Sequence, residues 1–234
     1  MAIVVTPKGT HQNKSSGSVF VTVNAVLDDV FIAILATDGW DLNPISVGLS
    51  NDTGSQIDQA STKDVEANNT GNVSVGIYFV KANASYTYFK CVIGGDAKAL
   101  SVYKVSGLAA TPFDKSSTGI GTSTTPSSGQ TATLAQADEL LIGGVGTEGP
   151  DGDAAGTWDA GANQATDNGQ RLGTTGGGAA SNITVASATK IVSATTGGIA
   201  SKTGIDSRDW AAAIATYKAA GGVIESLAGV SAGV

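Results

Sequence analysis

Between Val19 and Ala36 the chain passes from strict alternation to an unbroken apolar run, and that change dictates a layered fold. In Val19-Phe20-Val21-Thr22-Val23 the valines share one face of a strand while Phe20 and Thr22 take the other, as in a sheet with one side toward a core. From Val30 to Ala36 almost every residue is apolar, the pattern of a central strand covered on both faces. Asp28-Asp29 supplies the turn between the two segments.

Composition points the same way. A chain of 234 residues is long enough for one large sandwich or two small domains without covalent staples. Charged residues make up only 14% of it, and 32 glycines with abundant Ala, Ser and Thr take their place, favouring turns and short strands over charged amphipathic helices. The expected class is all-β: an antiparallel β-sandwich, jelly-roll or Ig-like, with long Gly/Ser/Thr-rich loops and an N-terminal extension strand. The net charge of −7, with 13 scattered basic residues, argues against nucleic acid as a partner. No apolar stretch is long enough for a membrane span, and no charged and then apolar leader opens the chain, so the expectation is a soluble protein that reaches the cell exterior without a conventional leader or after losing one.

Further along, Val73–Val80, Tyr86–Ile93 and Ala99–Val105 predict three strands of an antiparallel meander, the first two joined as a hairpin through Lys81-Ala82-Asn83-Ala84-Ser85. Residues 116–130, rich in Ser, Thr and Gly, predict a surface loop between halves of the sandwich. Glu139–Val145 reads as a strand whose Gly143-Gly144 pair signals a bulge or a close backbone approach. Residues 148–178 carry turn signals throughout and predict long surface excursions, followed by a short hairpin of Ile183–Val185 and Lys190–Val192. In residues 209–218 the spacing of Trp210, Ile214 and Tyr217 fits a helix, but the all-β surroundings favour an Ala-faced strand.

The first strand, Ala2-Ile3-Val4-Val5-Thr6, has no hairpin partner nearby, because the polar spacer Pro7 to Gly17 separates it from the next apolar run. Its partner must be distant in sequence or in another chain. This divides the chain into a docking strand with spacer, residues 1–17, and a sandwich domain, residues 18–234. Extended, the spacer reaches at most roughly 36 Å, enough for the strand to complete a neighbour's sheet by donor-strand exchange.

Side chains that could carry chemistry are sparse. His11 lies in the spacer, a poor base for a Ser-His-Asp triad, and one His with one Cys does not make a zinc site. Cys91 falls in an alternating run and reads as a buried structural thiol. Asp151, Asp153 and Asp159, with Asp38 and Asp41 around Trp40, are weak calcium candidates, since Asp-Gly-Asp lacks the further spacing of an EF-hand loop. The run Gly143-Gly144-Val145-Gly146 lacks the residues of a phosphate cradle. Glycosylation acceptor patterns begin at Asn13, Asn51, Asn68, Asn72, Asn83 and Asn182. Trp40 and Trp158, flanked by Asp in loops, are candidate glycan contacts, with closure of the sandwich ends as the structural alternative. No cofactor is expected, and catalysis is not.

Taken together, Met1–Thr6, Val19–Val23, Tyr103-Lys104-Val105-Ser106-Gly107, residues 138–146 and residues 210–218 resemble strand patterns of β-sandwich structural proteins from bacteriophage virions and extracellular prokaryotic fibres. That resemblance implies a jelly-roll or Ig-like subunit that assembles with copies of itself outside the cell. A carbohydrate-binding or adhesion module is the alternative.

Overall fold

The computed structural model describes residues 2–15, 17–39, 46–93 and 97–221. Its strands, in chain order, are β1 (Val4–Asn13), β2 (Gly17–Ala25), β3 (Val30–Asp38), β4 (Ser46–Ser50), β5 (Gln59–Ala60), β6 (Thr62–Asn69), β7 (Val73–Lys81), β8 (Tyr86–Ile93), β9 (Lys98–Ser106), β10 (Leu108–Ser123), β11 (Glu139–Glu148), β12 (Ala155–Trp158), β13 (Asp167–Gly173), β14 (Ile183–Val192), β15 (Lys202–Ile205) and β16 (Arg208–Ala219). The fold is all-β, and every ladder between these strands is antiparallel.

Three sheets stack. The middle sheet has the order β1-β9-β3-β7-β6, the first outer sheet β2-β8-β4-β5, and the second outer sheet β10-β16-β11-β14-β13. One face of the middle sheet, with Phe31, Ala33, Leu35, Leu100 and Val102, packs on Val19, Val21, Val47, Phe89 and Cys91 of the first outer sheet. The opposite face, with Ile32, Ile34, Val75, Ile77 and Tyr103, packs on Leu140, Ile142, Val185, Ala213 and Tyr217 of the second. This explains the unbroken apolar run of β3: successive side chains point to opposite faces, and both faces are dry.

The far side of the second outer sheet is covered too. Loop segments lie across it, tied by backbone bonds such as Ser128 N–H to Ala200 O at 2.9 Å and Thr131 N–H to Gly198 O at 2.9 Å. They bury Leu141, Ala188 and Ile214 beneath Leu134, Ala165 and Ala200. The small ribbon β12-β15 completes this cover.

Several expectations are corrected. Strands β7, β8 and β9 do not form a meander: β7 and β9 belong to the middle sheet and β8 to the first outer sheet, so the chain arches between layers at residues 82–85. Residues 73–78 of β7 are buried on both faces and need a layer on each side, which a hairpin partner alone does not provide. Residues 116–123 are not loop but the second half of the edge strand β10, paired from Ser116↔Ala215 to Ser123↔Arg208. Their Ser, Thr and Gly alternate half-buried with exposed, so polarity there marks a sheet edge. The supposed hairpin at 183–192 is the single strand β14, continuous through Ala186-Ser187-Ala188-Thr189. Residues 148–178 contain β12 and β13, both paired. The 209–218 segment is strand, as expected. Glu139–Val145 lies within β11, whose register runs unbroken against both neighbours, so its glycines serve close approach and not a bulge.

Candidate functional site

The first candidate is the amino-terminal strand. Its missing partner is β9 of the same chain, in the register Val4↔Ser106, Val5↔Val105, Thr6↔Lys104 and Pro7↔Tyr103, resuming after a shift at Gly9↔Val102 and ending at Asn13↔Lys98. The spacer is therefore largely strand: residues 7–13 continue β1, and a turn in which Asn13 Oδ1 accepts from Ser15 N–H at 2.9 Å follows. Polar side chains in that stretch hid it, because the strand lies at a sheet edge and is nowhere fully buried. Anchoring is light. Ala2 and Val4 are exposed, Val4 at 55%, Thr6 is exposed, Val5 is half-buried and Ile3 alone of the five is buried. Gly107, at φ +80°, makes the single-residue link from β9 to β10, where a Cβ would run into the Ala2 carbonyl. His11 packs against Phe20 with the rings tilted by 32° and their centroids 4.8 Å apart, and its Nδ1 accepts from Phe20 N–H at 3.2 Å. Burial pushes the imidazole below its ordinary pKa.

The other sequence candidates are spread over the molecule. Trp40 and Asp41 lie outside the described residues. Trp158 sits on β12, half-buried against Leu141 and Ile214 on one side and Trp210 on the other, and is not an open platform. Asn51, Asn68, Asn72 and Asn83 are exposed and Asn13 is half-buried. Asn182 is fully buried: its Nδ2 donates to Gly176 O and Gly178 O, at 2.9 and 2.7 Å, and its Oδ1 accepts from Thr174. A glycan has no access there, so Asn182 is a structural residue. Cys91 is buried in the first outer sheet, with burial lifting its thiol pKa to about 12.

Asp151 and Asp153 face basic side chains instead of a cation. Arg171 Nη1 donates to Asp151 Oδ1 at 2.9 Å, and its Nη2 donates to the Asp153 carbonyl at 3.1 Å. Arg208 grips the Asp153 carboxylate through Nε at 2.7 Å and Nη2 at 3.3 Å. Among the described residues no three His, Cys, Asp or Glu side chains are grouped to hold a metal. Calcium at these aspartates is thereby corrected: guanidinium groups occupy the oxygens that a cation would need.

These contacts belong to a recess that the sequence reading missed. The outer face of β11, β14, β13 and β16 forms its floor, and the 149–154 turn and the β15 strand form the walls of a shallow recess with about 20 Å³ of room. Both arginines of the chain line it, together with Asp153, Asp206 and Lys202. Lys202 stands opposite Trp158 in the β12-β15 ladder, so its ammonium lies over the indole, 5.0 Å from the ring centroid. The residue is only 4% exposed, and burial, with the Arg171 charge second, lowers its pKa to about 8. The available signal was in the arginines: a charge-poor chain with two of them sends both to one Asp-Gly-Asp turn. Comparison of the chain with models of protein families, with curated proteins and with solved structures gave no match.

Proposed function

We propose that the chain is a non-enzymatic structural subunit of an extracellular multi-copy assembly, a filament or a virion component, in which β1 is traded between neighbouring copies. The observation that carries this reading is the seat of β1: an edge strand, paired with β9 on one side only, with no other ladder depending on it. A traded strand remakes the same register and the same apolar contacts in its neighbour, so exchange leaves the pairing energy nearly unchanged. Link conformation and the concentration of copies then decide the outcome.

Three further features support the reading. The link to β2 spans residues 14–16 and must pass from the middle sheet to the first outer sheet, and short connections of this kind favour exchange over closure. The apolar anchor is small: a fully buried aliphatic side chain contributes about 1.5–3 kcal/mol, and near the strand only Ile3 approaches that state. The stacked sheets behind β9 give the seat a rigid base, since a middle layer dry on both faces resists deformation.

Paired cysteines test this directly. Val5 and Val105 stand opposite each other, and opposed antiparallel residues have Cα atoms about 4.5–5.5 Å apart, within disulfide reach. Cys91 does not compete, because it is buried. After oxidation of a concentrated V5C/V105C sample, non-reducing denaturing electrophoresis should show a ladder of covalent multimers. A single internally cross-linked monomer at every concentration would sink strand trading.

A further inference from the structure

We propose that Asp114 and Glu139 hold one proton between them, and that this shared proton is a pH-sensitive clasp fastening the 124–138 strap over the second outer sheet. The strap joins β10 to β11, and its Leu134 forms one buried cluster with Leu141 and Ile214 of the sheet's far face. Along its length it is bonded to the 195–200 segment, through the N–H groups of Ser128, Thr131 and Leu134 at 2.9 Å each. Two carboxylates hold its last turn. Ala135 N–H donates to Asp114 Oδ2 at 2.8 Å, and the next amide, Gln136 N–H, donates to Glu139 Oε1 at 3.4 Å. Consecutive amides thus gather two acids at one spot, Asp114 from β10 and Glu139 from the first position of β11.

One oxygen in this arrangement has no partner. Glu139 is 0% exposed, and its Oε2 is buried without a hydrogen bond among the described residues. Asp114 is engaged on both oxygens: Oδ1 takes the Lys115 ammonium at 2.9 Å, and Oδ2 takes the Ala135 amide. The two carboxyl groups lie against each other. A carboxylate oxygen shut away from water with no donor is costly, and facing carboxylates resist ionising together. A proton on Glu139 Oε2 turns the orphan acceptor into a donor toward Asp114 and removes both penalties at once.

The groups around the pair leave that task to a proton. On β16 the facing side chains are Thr216, whose Oγ1 accepts from Lys115 N–H at 3.1 Å, and Lys218, which stands opposite Glu139 in the ladder yet makes no ion pair with it. On β14 Val192 is opposite Glu139, and Lys190 is opposite Leu141. Asp138 is exposed at the turn. Lys115 is matched to Asp114, so Glu139 is left without a cation. Calcium is a poor substitute, because it takes roughly six to eight oxygens and the Lys115 ammonium already holds Asp114 Oδ1. Burial, and after it the Asp114 charge, raises the Glu139 pKa above its ordinary value. Against the effect of burial, the Ala135 amide and Lys115 hold Asp114 below its own. The proton therefore resides on Glu139.

The clasp has two pH limits. The raised Glu139 pKa gives stability that is fully present below the unfolded value and lost as pH rises through the folded one. The lowered Asp114 pKa gives stability that is present above the unfolded value and lost as pH falls through the folded one. The strap is therefore held most tightly between the two folded values, and above the upper one the ionised pair repels and frees its last turn. The full chain, carboxyl-¹³C-labelled at Asp and Glu, is titrated by NMR while amide exchange, corrected for its intrinsic rate, is followed at Ala135 and Gln136. The expected result is a Glu139 midpoint above the ordinary 4.5, and protection at both amides that falls by up to about tenfold per pH unit beyond that midpoint while Leu140 in β11 stays protected. Glu139→Gln keeps a donor beside Asp114 without a titrating group, so protection of the two amides should be flat over the same range. Asp114→Asn removes the neighbouring charge, so the Glu139 midpoint should fall toward 4.5. If either variant fails to fold, the titration of the parent decides alone. A Glu139 midpoint at or below 4.5, protection indifferent to that midpoint, or a pH slope that survives in the Gln variant would overturn the proposal. So would a Glu139 resonance moved by calcium chloride at matched ionic strength, which would make the occupant a metal ion.

Discussion

The two faces of the middle sheet are packed by opposite means. Against the first outer sheet the contact is made by volume, with Phe31, Leu35 and Leu100 meeting Val21, Leu49 and Phe89. Against the second outer sheet it is made by proximity: β11 offers Gly144 and Gly146, and β16 offers Ala211, Ala213 and Ala215. A Cβ on Gly144 would fall far inside van der Waals contact with Ile34 Cγ2, and one on Gly146 would lie 2.5 Å from Val75 Cγ2. The first interface tolerates loss of volume poorly and the second tolerates gain poorly. The difference shows that small residues in a strand do not mark a weak or solvent-facing element; here they set the distance at which large residues of the neighbouring sheet are received.

Substitutions that exploit this asymmetry should separate the two interfaces. Phe89 is fully buried between the middle and first outer sheets, and Phe89→Ala should cost about 3–5 kcal/mol in urea unfolding, the largest single effect. Gly144→Ala should cost about 1–3 kcal/mol by overpacking, because the obstructing methyl belongs to a β-branched side chain with no room to turn. Gly152→Ala is the control: nothing lies within 4 Å of its Cβ position, and stability should hold or rise slightly. If Gly144→Ala proved as neutral as Gly152→Ala, the close-approach account of the second interface would fail.

A polar cluster gives the second interface a further distinction. Tyr103 donates to Asn168 O at 3.0 Å, its oxygen lies 2.8 Å from Ser187 Oγ, and Ser187 Oγ lies 2.7 Å from Ser101 Oγ, all between the middle and second outer sheets. Burial raises the Tyr103 pKa, so the phenol stays a donor. Tyr103→Phe keeps the ring and removes the link, and should cost about 1 kcal/mol by the same unfolding measurement.

The sequence was most readable where side chains were large. Strand β3 declared its double burial through an unbroken apolar run, and β2 its single buried face through alternation. Legibility failed where pairing replaced burial: β10 past Ser116 and β1 past Pro7 are held by ladders and expose polar side chains, so composition gave them to loops. It failed again at β14, whose central Ala-Ser-Ala-Thr looks like a turn until the glycines of β11 are set beside it. The recess was illegible for a different reason. Arg171, Lys202 and Arg208 come from three strands whose neighbourhood depends on sheet order, which local pattern does not encode.

The smallest expected effect concerns the edge where β1 joins the first interface. His11 is neutral when its Nδ1 accepts from Phe20 N–H, and burial keeps its folded pKa below the unfolded value of 6.5. The unfolded or released strand therefore binds a proton more readily than the seated one. Stability from this contact is fully present above the unfolded value and is lost as pH falls through the folded one. Between about pH 7.5 and about pH 5, amide protection in β1 should decline relative to β9, and strand trading between copies should quicken. His11→Asn places an oxygen acceptor near the Nδ1 position without a titrating group, so its β1 protection should be flat over the same range. Persistence of the pH slope in the Asn variant would detach the proton from the strand and leave the seat of β1 governed by its ladder alone.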